Sequence, residues 1–366
     1  TGKTTLIRAI ITAAEQNGLE PALMAPTGRA AKRLAISSGR DADTIHKALE
    51  ASVRETGRTY FERNEANPLE EDLIIVDEAS MLDISLFYHL LCALKDGARL
   101  ILVGDIDQLP PVGAGEPLKD LMSWGYVPIV RLKRIFRQEE GSGIVENAAL
   151  IRKGEMCVPD EAGEFRIVYA ADDEDAYRIV MDLCRELNYG NEENKMLLQV
   201  LSPMYRGVCG VDHLNESLQE MIHGEKVPDG MKFFPGDKVM QTRNDYEKGI
   251  YNGDVGTVWT ATPQKVFVRY FDKEVVYEGE ERFDLRLAYA VTVHKSQGSE
   301  YETVIFILRP SQHNMLQRNL LYTGVTRARK NTILVTAPDA LRRALAIQHT
   351  GNRYSLFLPF LNHEAL

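Results

Sequence analysis

The chain reads as two α/β domains in tandem, the second interrupted by a small antiparallel barrel. Three observations lead there. Short apolar runs alternate with helical patterns over most of the 366 residues. Between 234 and 284 the pattern changes to short alternating strands joined by Asn-Gly and Asp-Lys turns. Finally, polar groups suited to phosphate chemistry stand where apolar runs end.

In the first half, "PALMAP" (21–26), "LIIVDEAS" (73–80), "RLILVGD" (99–105) and "VPIVRL" (127–132) are the apolar runs. Helical patterns such as "TTLIRAIITAAEQ" (4–16) and "DISLFYHLLCALK" (83–95) lie between them. Continuous apolar strands separated by helices predict a parallel sheet covered on both faces. A second set follows: "MLLQVLSP" (196–203), "LAYAVTVH" (287–294), "TVIFIL" (303–308) and "TILVTA" (332–337). The expected domains are 1–141, with an insertion at 51–68, and 142–233 with 285–366, interrupted by a barrel at 234–284. The 51–68 insertion carries a Thr-Gly turn and reads either as a hairpin or as a surface loop.

Composition narrows the function. Hydrophobic residues make up 44% of the chain, enough for ordinary cores. A net charge of −10 excludes a uniformly basic, histone-like binder but leaves room for a local basic groove. The four cysteines, Cys92, Cys157, Cys184 and Cys209, are widely spaced, which predicts reduced thiols and a cytoplasmic protein. No apolar run reaches membrane-spanning length, so no membrane partner is expected.

The chemistry begins at "TGKTT". A phosphate-binding loop reads G-x-x-x-x-G-K-[ST], and the chain holds Gly2-Lys3-Thr4 with one residue before them. At such a strand-to-helix junction, backbone N–H groups face phosphate, the lysine reaches the β- and γ-phosphates, and the hydroxyl binds Mg²⁺. Alone, the tripeptide is also met by chance. The expectation is a chain that starts inside this loop, without its first glycine or feeding strand, and that is a poor ATPase as it stands.

In "LIIVDEAS", four apolar residues set Asp77 and Glu78 at the end of a buried strand, where open α/β sheets bind ligands. Asp77 suits the water shell of Mg²⁺ and Glu78 the general base for an attacking water, with a helix cap as the plainer alternative. "LVGDIDQLPPVGAG" repeats the geometry with Gly104, Asp105 and Gln108; the amide of Gln108 suits orientation of a water near a γ-phosphate. In the second half, "VTVHKSQGSEYE" brings His294, Lys295, Gln297, Gly298 and Glu300 to a strand end. "NLLYTGVTRARK" and "LKRIFRQ" supply Arg327, Arg329 and Arg137, cations of the kind that stabilise a transferring phosphoryl group.

The ordered series "TGKTT", "APTGRAAKRL", "TIHKAL", "IIVDEASML", "LVGDIDQLPP", "IFRQ", "VHKSQGSE" and "YTGVTRAR" resembles the superfamily 1 helicase motifs, most closely those of RecD-like DNA helicases. The resemblance spans nearly the whole chain. It implies tandem RecA-like P-loop NTPase domains with an inserted SH3-like β-barrel and a β-hairpin insertion. It also implies an ATP- and Mg²⁺-dependent motor moving 5′ to 3′ on single-stranded DNA. Unwinding of tailed duplex and service in repair or recombination, with partner proteins from those processes, follow from the same likeness. By motif match, Gly2, Lys3, Thr4, Thr5, Asp77, Glu78, Gln108, Arg137 and Arg327 fall at the ATP site, Thr4 and Asp77 at the metal, and Glu300 at a ribose contact. Pro26, Thr27, Arg29, His46, His294 and Lys295 fall in segments that line the DNA path; for His46 a purely packed histidine is an equal alternative. Two rival readings stay open: a weakly hydrolysing DNA-binding subunit of a recombination or exonuclease complex, and a phosphotransferase acting on a small molecule.

Overall fold

The computed structural model describes residues 2–53, 59–132, 142–226, 230–245, 247–271, 273–348 and 357–362. Two compact units emerge, one from residues 1–137 with 351–366, the other from residues 138–350.

The described strands of the first unit are β1 (Pro21–Ala25), β2 (Asp43–Thr44), β3 (Ala51–Val53), β4 (Thr59–Phe61), β5 (Leu73–Val76) and β6 (Arg99–Leu102). Among them β2-β1-β5-β6 form a parallel sheet, with Leu23 opposite Ile75 and Val76 opposite Leu102. Every residue of β5 is buried, as a central parallel strand requires. The helix Lys3–Gln16 buries Ile7, Ile11 and Ala14, spaced to share one face. The helix Gly28–Ser38 starts at Thr27, whose hydroxyl accepts the Ala30 N–H, and ends at left-handed Gly39. β3 and β4 pair antiparallel, so the 51–68 insertion is a hairpin; its tip, 54–58, lies outside the described residues.

Two elements differ from expectation. The run 127–132 forms no strand, and Val130 is 81% exposed. An apolar run becomes a strand only beside a partner ladder, and β6, among the described residues, pairs with β5 alone. The helix Phe357–Leu361, expected within the second domain, packs with the first unit instead: the Phe357 ring lies 5.9 Å from that of Phe87, edge-on.

The second unit contains β7 (Phe165–Tyr169), β8 (Leu198–Ser202), β9 (Lys238–Gln241), β10 (Val255–Ala261), β11 (Lys265–Arg269), β12 (Glu274–Glu278), β13 (Leu285–Leu287), β14 (Ala290–Thr292), β15 (Tyr301–Leu308) and β16 (Ala328–Thr336). Its parallel sheet has the order β14-β8-β15-β16-β7. β9 to β13 form the inserted antiparallel barrel, order β12-β11-β10-β9-β13, around Phe233, Val239, Val258, Val268, Tyr277 and Leu285.

A buried polar seam joins barrel to sheet. The Asp237 carboxylate, fully buried, accepts from Tyr289 Oη at 2.8 Å, His223 Nε2 at 2.9 Å and the Phe234 N–H at 2.7 Å. Next along the chain, Lys238 Nζ donates to Leu198 O and Gln199 Oε1, each at 3.0 Å. Buried charges persist only with such partners. Ala288 N also donates to Lys238 O, so the barrel's exit strand is tied to its entry strand.

Candidate active site

In the first unit the sheet sets Asp77 directly beyond β5. Its N–H continues the ladder to Met24 O, and Val103 N does the same to Val76 O from the other side. Asp77 Oδ1 accepts the Glu78 N–H at 2.9 Å. Glu78 stands at φ 52°, a left-handed backbone that a non-glycine residue adopts at some energetic cost, and its side chain is buried. Burial chiefly, then the neighbouring Glu78 charge, raises the Asp77 carboxyl above its ordinary value; Lys3 and Arg33 pull it back down.

Lys3 opens a helix of 14 residues whose N-terminal neighbour, Gly2, is left-handed at φ 76°. No side chain caps this end, and its first turn holds no acidic residue. Such an end favours an anion through its N–H groups and dipole. Thr4 is half-buried and Thr5 exposed on the same turn.

The parallel loop beyond β6 closes on itself. Asp105 Oδ1 accepts the Asp107 N–H at 3.1 Å, Asp105 O accepts the Gln108 N–H, and Gln108 Nε2 reaches Asp105 Oδ2 at 3.4 Å. Gln108 is buried. Gly104 is required by crowding: a Cβ there would stand 2.6 Å from Leu118 Cδ2 and 2.9 Å from Ser80 N. The two loops are thus packed glycine against backbone.

The donor set fits Mg²⁺ bound with a nucleotide. Among the described residues no group of three or more His, Cys, Asp or Glu side chains gathers to hold a metal alone. Mg²⁺ with a nucleotide needs less: one or two protein oxygens, with phosphates and water completing its shell. Thr4 and Asp77 are of the right kind.

The residues of this unit expected to line a DNA path are dispersed. The Thr27 hydroxyl is engaged as a helix cap; Pro26 and Arg29 flank it, partly exposed. His46 packs under the hairpin, its ring 5.9 Å from Phe61, which in turn lies 4.5 Å from His89. Burial pushes the His46 imidazole below its ordinary value, and Asp83 opposes the shift. Arg137 lies outside the described residues.

In the second unit Arg327 is buried, with Nε donating to Thr323 O at 3.1 Å and Nη1 to Ser299 O at 3.2 Å. Arg329 Nε bonds Glu300 Oε2 at 2.9 Å. Lys295 Nζ donates to Asn252 Oδ1 of the barrel at 2.6 Å, and burial together with Arg286 draws its pKa below the ordinary lysine value. His294 stands beside it in the same short helical turn. Asn252 and Ser299 were not singled out by sequence. Asn252 reads there only as half of an Asn-Gly turn, and Ser299 contributes a carbonyl, which no side-chain pattern announces.

Family descriptions match in chain order: "AAA domain" over residues 1–166, "ATP-dependent RecD-like DNA helicase SH3 domain" over 214–270, and "UvrD-like helicase C-terminal domain" over 287–335. The chain is 38% identical over 360 residues to the ATP-dependent RecD2 DNA helicase of Deinococcus radiodurans, covering 97% of itself and 48% of that protein. It therefore spans about half the length of that relative. It is 33% identical to the RecBCD enzyme subunit RecD of Mycolicibacterium smegmatis, covering 97% of itself and 71% of that chain. Among solved structures it is similar to the Bacteroides Pif1 helicase in complex with ADP-AlF3 and ssDNA (TM-score 0.57, 21% identity, 99% and 90% of the two chains). The Pif1 helicase of Candida albicans is comparable in fold (TM-score 0.55, 19% identity, 95% and 91%). With the ordered motifs, the strand-end carboxylate pair and this identity over most of a RecD chain, the protein belongs to the RecD-like DNA helicase family.

Proposed function

We propose that the chain is the motor portion of an ATP-dependent DNA helicase that moves 5′ to 3′ on single-stranded DNA and opens tailed duplexes during cytoplasmic DNA repair or recombination. The observation that carries this reading is the Asp77–Glu78 pair at the end of β5, where Asp77 continues the ladder to Met24 and accepts the Glu78 N–H.

The residues divide the work. Gly2, Lys3, Thr4 and Thr5 bind phosphate through backbone N–H groups and the lysine ammonium. Thr4 and Asp77 hold Mg²⁺, which when bound neutralises charge on the phosphate oxygens. Glu78, kept in place by its left-handed backbone, takes the proton of the attacking water, and Gln108 orients that water. Arg137 and Arg327 act on charge that develops on the phosphoryl group, and Glu300 accepts a ribose hydroxyl. Pro26, Thr27, Arg29, His46, His294 and Lys295 contribute to the strand path, Lys295 with the support of barrel residue Asn252. A basic path of this kind grips backbone without reading sequence.

A weakly hydrolysing DNA-binding subunit is the second reading. It is favoured by the engagement of the Arg327 guanidinium with Thr323 and Ser299 carbonyls, and by similarity to RecBCD subunits. The test is ATP turnover with and without single-stranded DNA, followed by translocation on strands labelled at one end or the other. Strong stimulation and arrival at the 3′ end support the motor. DNA binding without turnover supports the subunit.

A further inference from the structure

Two short segments of the second unit run side by side. Tyr301 N donates to Arg327 O at 2.9 Å, and Tyr301 is paired with Ala328 where β15 and β16 begin. Three cross-links follow: Arg327 Nη1 to Ser299 O at 3.2 Å, Arg329 Nε to Glu300 Oε2 at 2.9 Å, and Lys330 Nζ to Glu302 Oε2 at 2.9 Å.

The two ion pairs differ in kind. The side chains of Lys330 and Glu302 are both in contact with solvent, 64% and 36% exposed. In the other pair, Arg329 is 60% exposed while Glu300 is only 6% exposed. A solvated pair contributes little to stability. A carboxylate withdrawn from water needs a charged partner, and a guanidinium bond of normal length also restricts the direction its oxygens face.

We propose that Arg329 is a positioning residue for Glu300: it holds the carboxylate in the orientation that accepts a ribose hydroxyl of the bound nucleotide. This rests on the assignment of Glu300 as the ribose contact. Arg327 directly precedes β16, and Arg329 is the second residue of that strand. The same stretch of backbone therefore carries the phosphate-directed cation and the group that aims the ribose contact. Arg329 acts on the nucleotide only through Glu300.

The experiment is calorimetric binding of ADP, 2′-deoxy-ADP and 3′-deoxy-ADP to the protein and to Glu300→Ala, Arg329→Ala, Arg329→Lys and Lys330→Ala. Arg329→Ala is expected to weaken ADP about 3- to 10-fold, part of the value of a charge-assisted bond. The deoxy analogue that lacks the contacted hydroxyl should bind almost as before. Arg329→Lys should fall between, because a point charge keeps the partner without the planar fork. Lys330→Ala should match the parent. In Glu300→Ala, adding Arg329→Ala should cause no further loss. If Glu300→Ala leaves the preference for ADP over both deoxy analogues intact, the ribose assignment itself is overturned. If Glu300→Ala removes that preference and Arg329→Ala does not, the positioning role is overturned while the ribose contact stands. Equal weakening of all three nucleotides by Arg329→Ala, or tighter ADP binding, overturns it as well.

Discussion

Asp77 Oδ1 receives the backbone N–H of Glu78 at 2.9 Å, so the first carboxylate of the pair helps hold the second residue in its left-handed turn. Two adjacent acids with different surroundings invite different tests.

Glu78→Gln keeps the shape of the side chain and removes its capacity to take a proton. ATP turnover should fall by at least about 10²-fold, the usual contribution of a general base, with nucleotide affinity little changed. Single-turnover hydrolysis beside equilibrium nucleotide binding separates the two effects. Turnover near the parent level, in a protein that melts normally, removes Glu78 from the role.

Asp77→Asn tests the burial of charge. The Asp77 carboxyl is raised, so the folded protein holds its proton more tightly than the unfolded chain does. The linked stability is present in full below the ordinary value near 3.8 and is lost as pH rises through the folded value. At neutral pH the ionised group therefore opposes folding. The amide should therefore raise the melting temperature. The gain should shrink as pH falls toward 4. Thermal melts across pH without nucleotide or Mg²⁺ decide it; a lower melting temperature at pH 7 contradicts the assignment.

The hairpin separates into an anchor and an outward residue. Phe61 is buried, its ring tilted against those of His46 and His89, whereas Tyr60 is half-buried. Phe61→Ala should cost about 3–5 kcal/mol of stability in chemical denaturation. Tyr60→Ala should leave stability and DNA-stimulated ATPase near the parent while lowering duplex unwinding, if its ring stacks on a base at the fork. Unchanged unwinding by Tyr60→Ala ends that role for the hairpin.

Tyr289→Phe removes one donor from the fully buried Asp237 carboxylate. A loss of about 1–3 kcal/mol is expected in urea unfolding. Asp237→Ala strips partners from Tyr289, His223 and the Phe234 N–H together and should cost more, about 3–5 kcal/mol. If the seam unites barrel and sheet, a tryptophan signal from Trp259 and the bulk helix signal should shift together. Separate transitions show that the barrel unfolds alone.

Much of the framework of the candidate site was legible because parallel strands buried on both faces read as unbroken apolar runs. Leu73–Val76 and Tyr301–Leu308 announced themselves in that way, and the polar residues just beyond them followed. β7 was harder: in Phe165–Tyr169 only Phe165 is fully buried, and Arg166 interrupts the run. The run 127–132 has the right letters and no partner ladder, a deficit that composition cannot express. The seam at Asp237 and Lys238 was opaque for a different reason. Its partners Tyr189, Leu198, His223 and Tyr289 are distant in sequence, and their meeting is a product of the whole fold. Likewise, Lys295 was read as a DNA-path residue, but its bond to Asn252 joins a helicase motif to a barrel turn 43 positions away.

The bond from Lys295 to Asn252 makes the barrel a reporter of the motif beside it. A spectroscopic probe placed in the Asn252 turn should therefore change its signal when Lys295 is replaced by alanine.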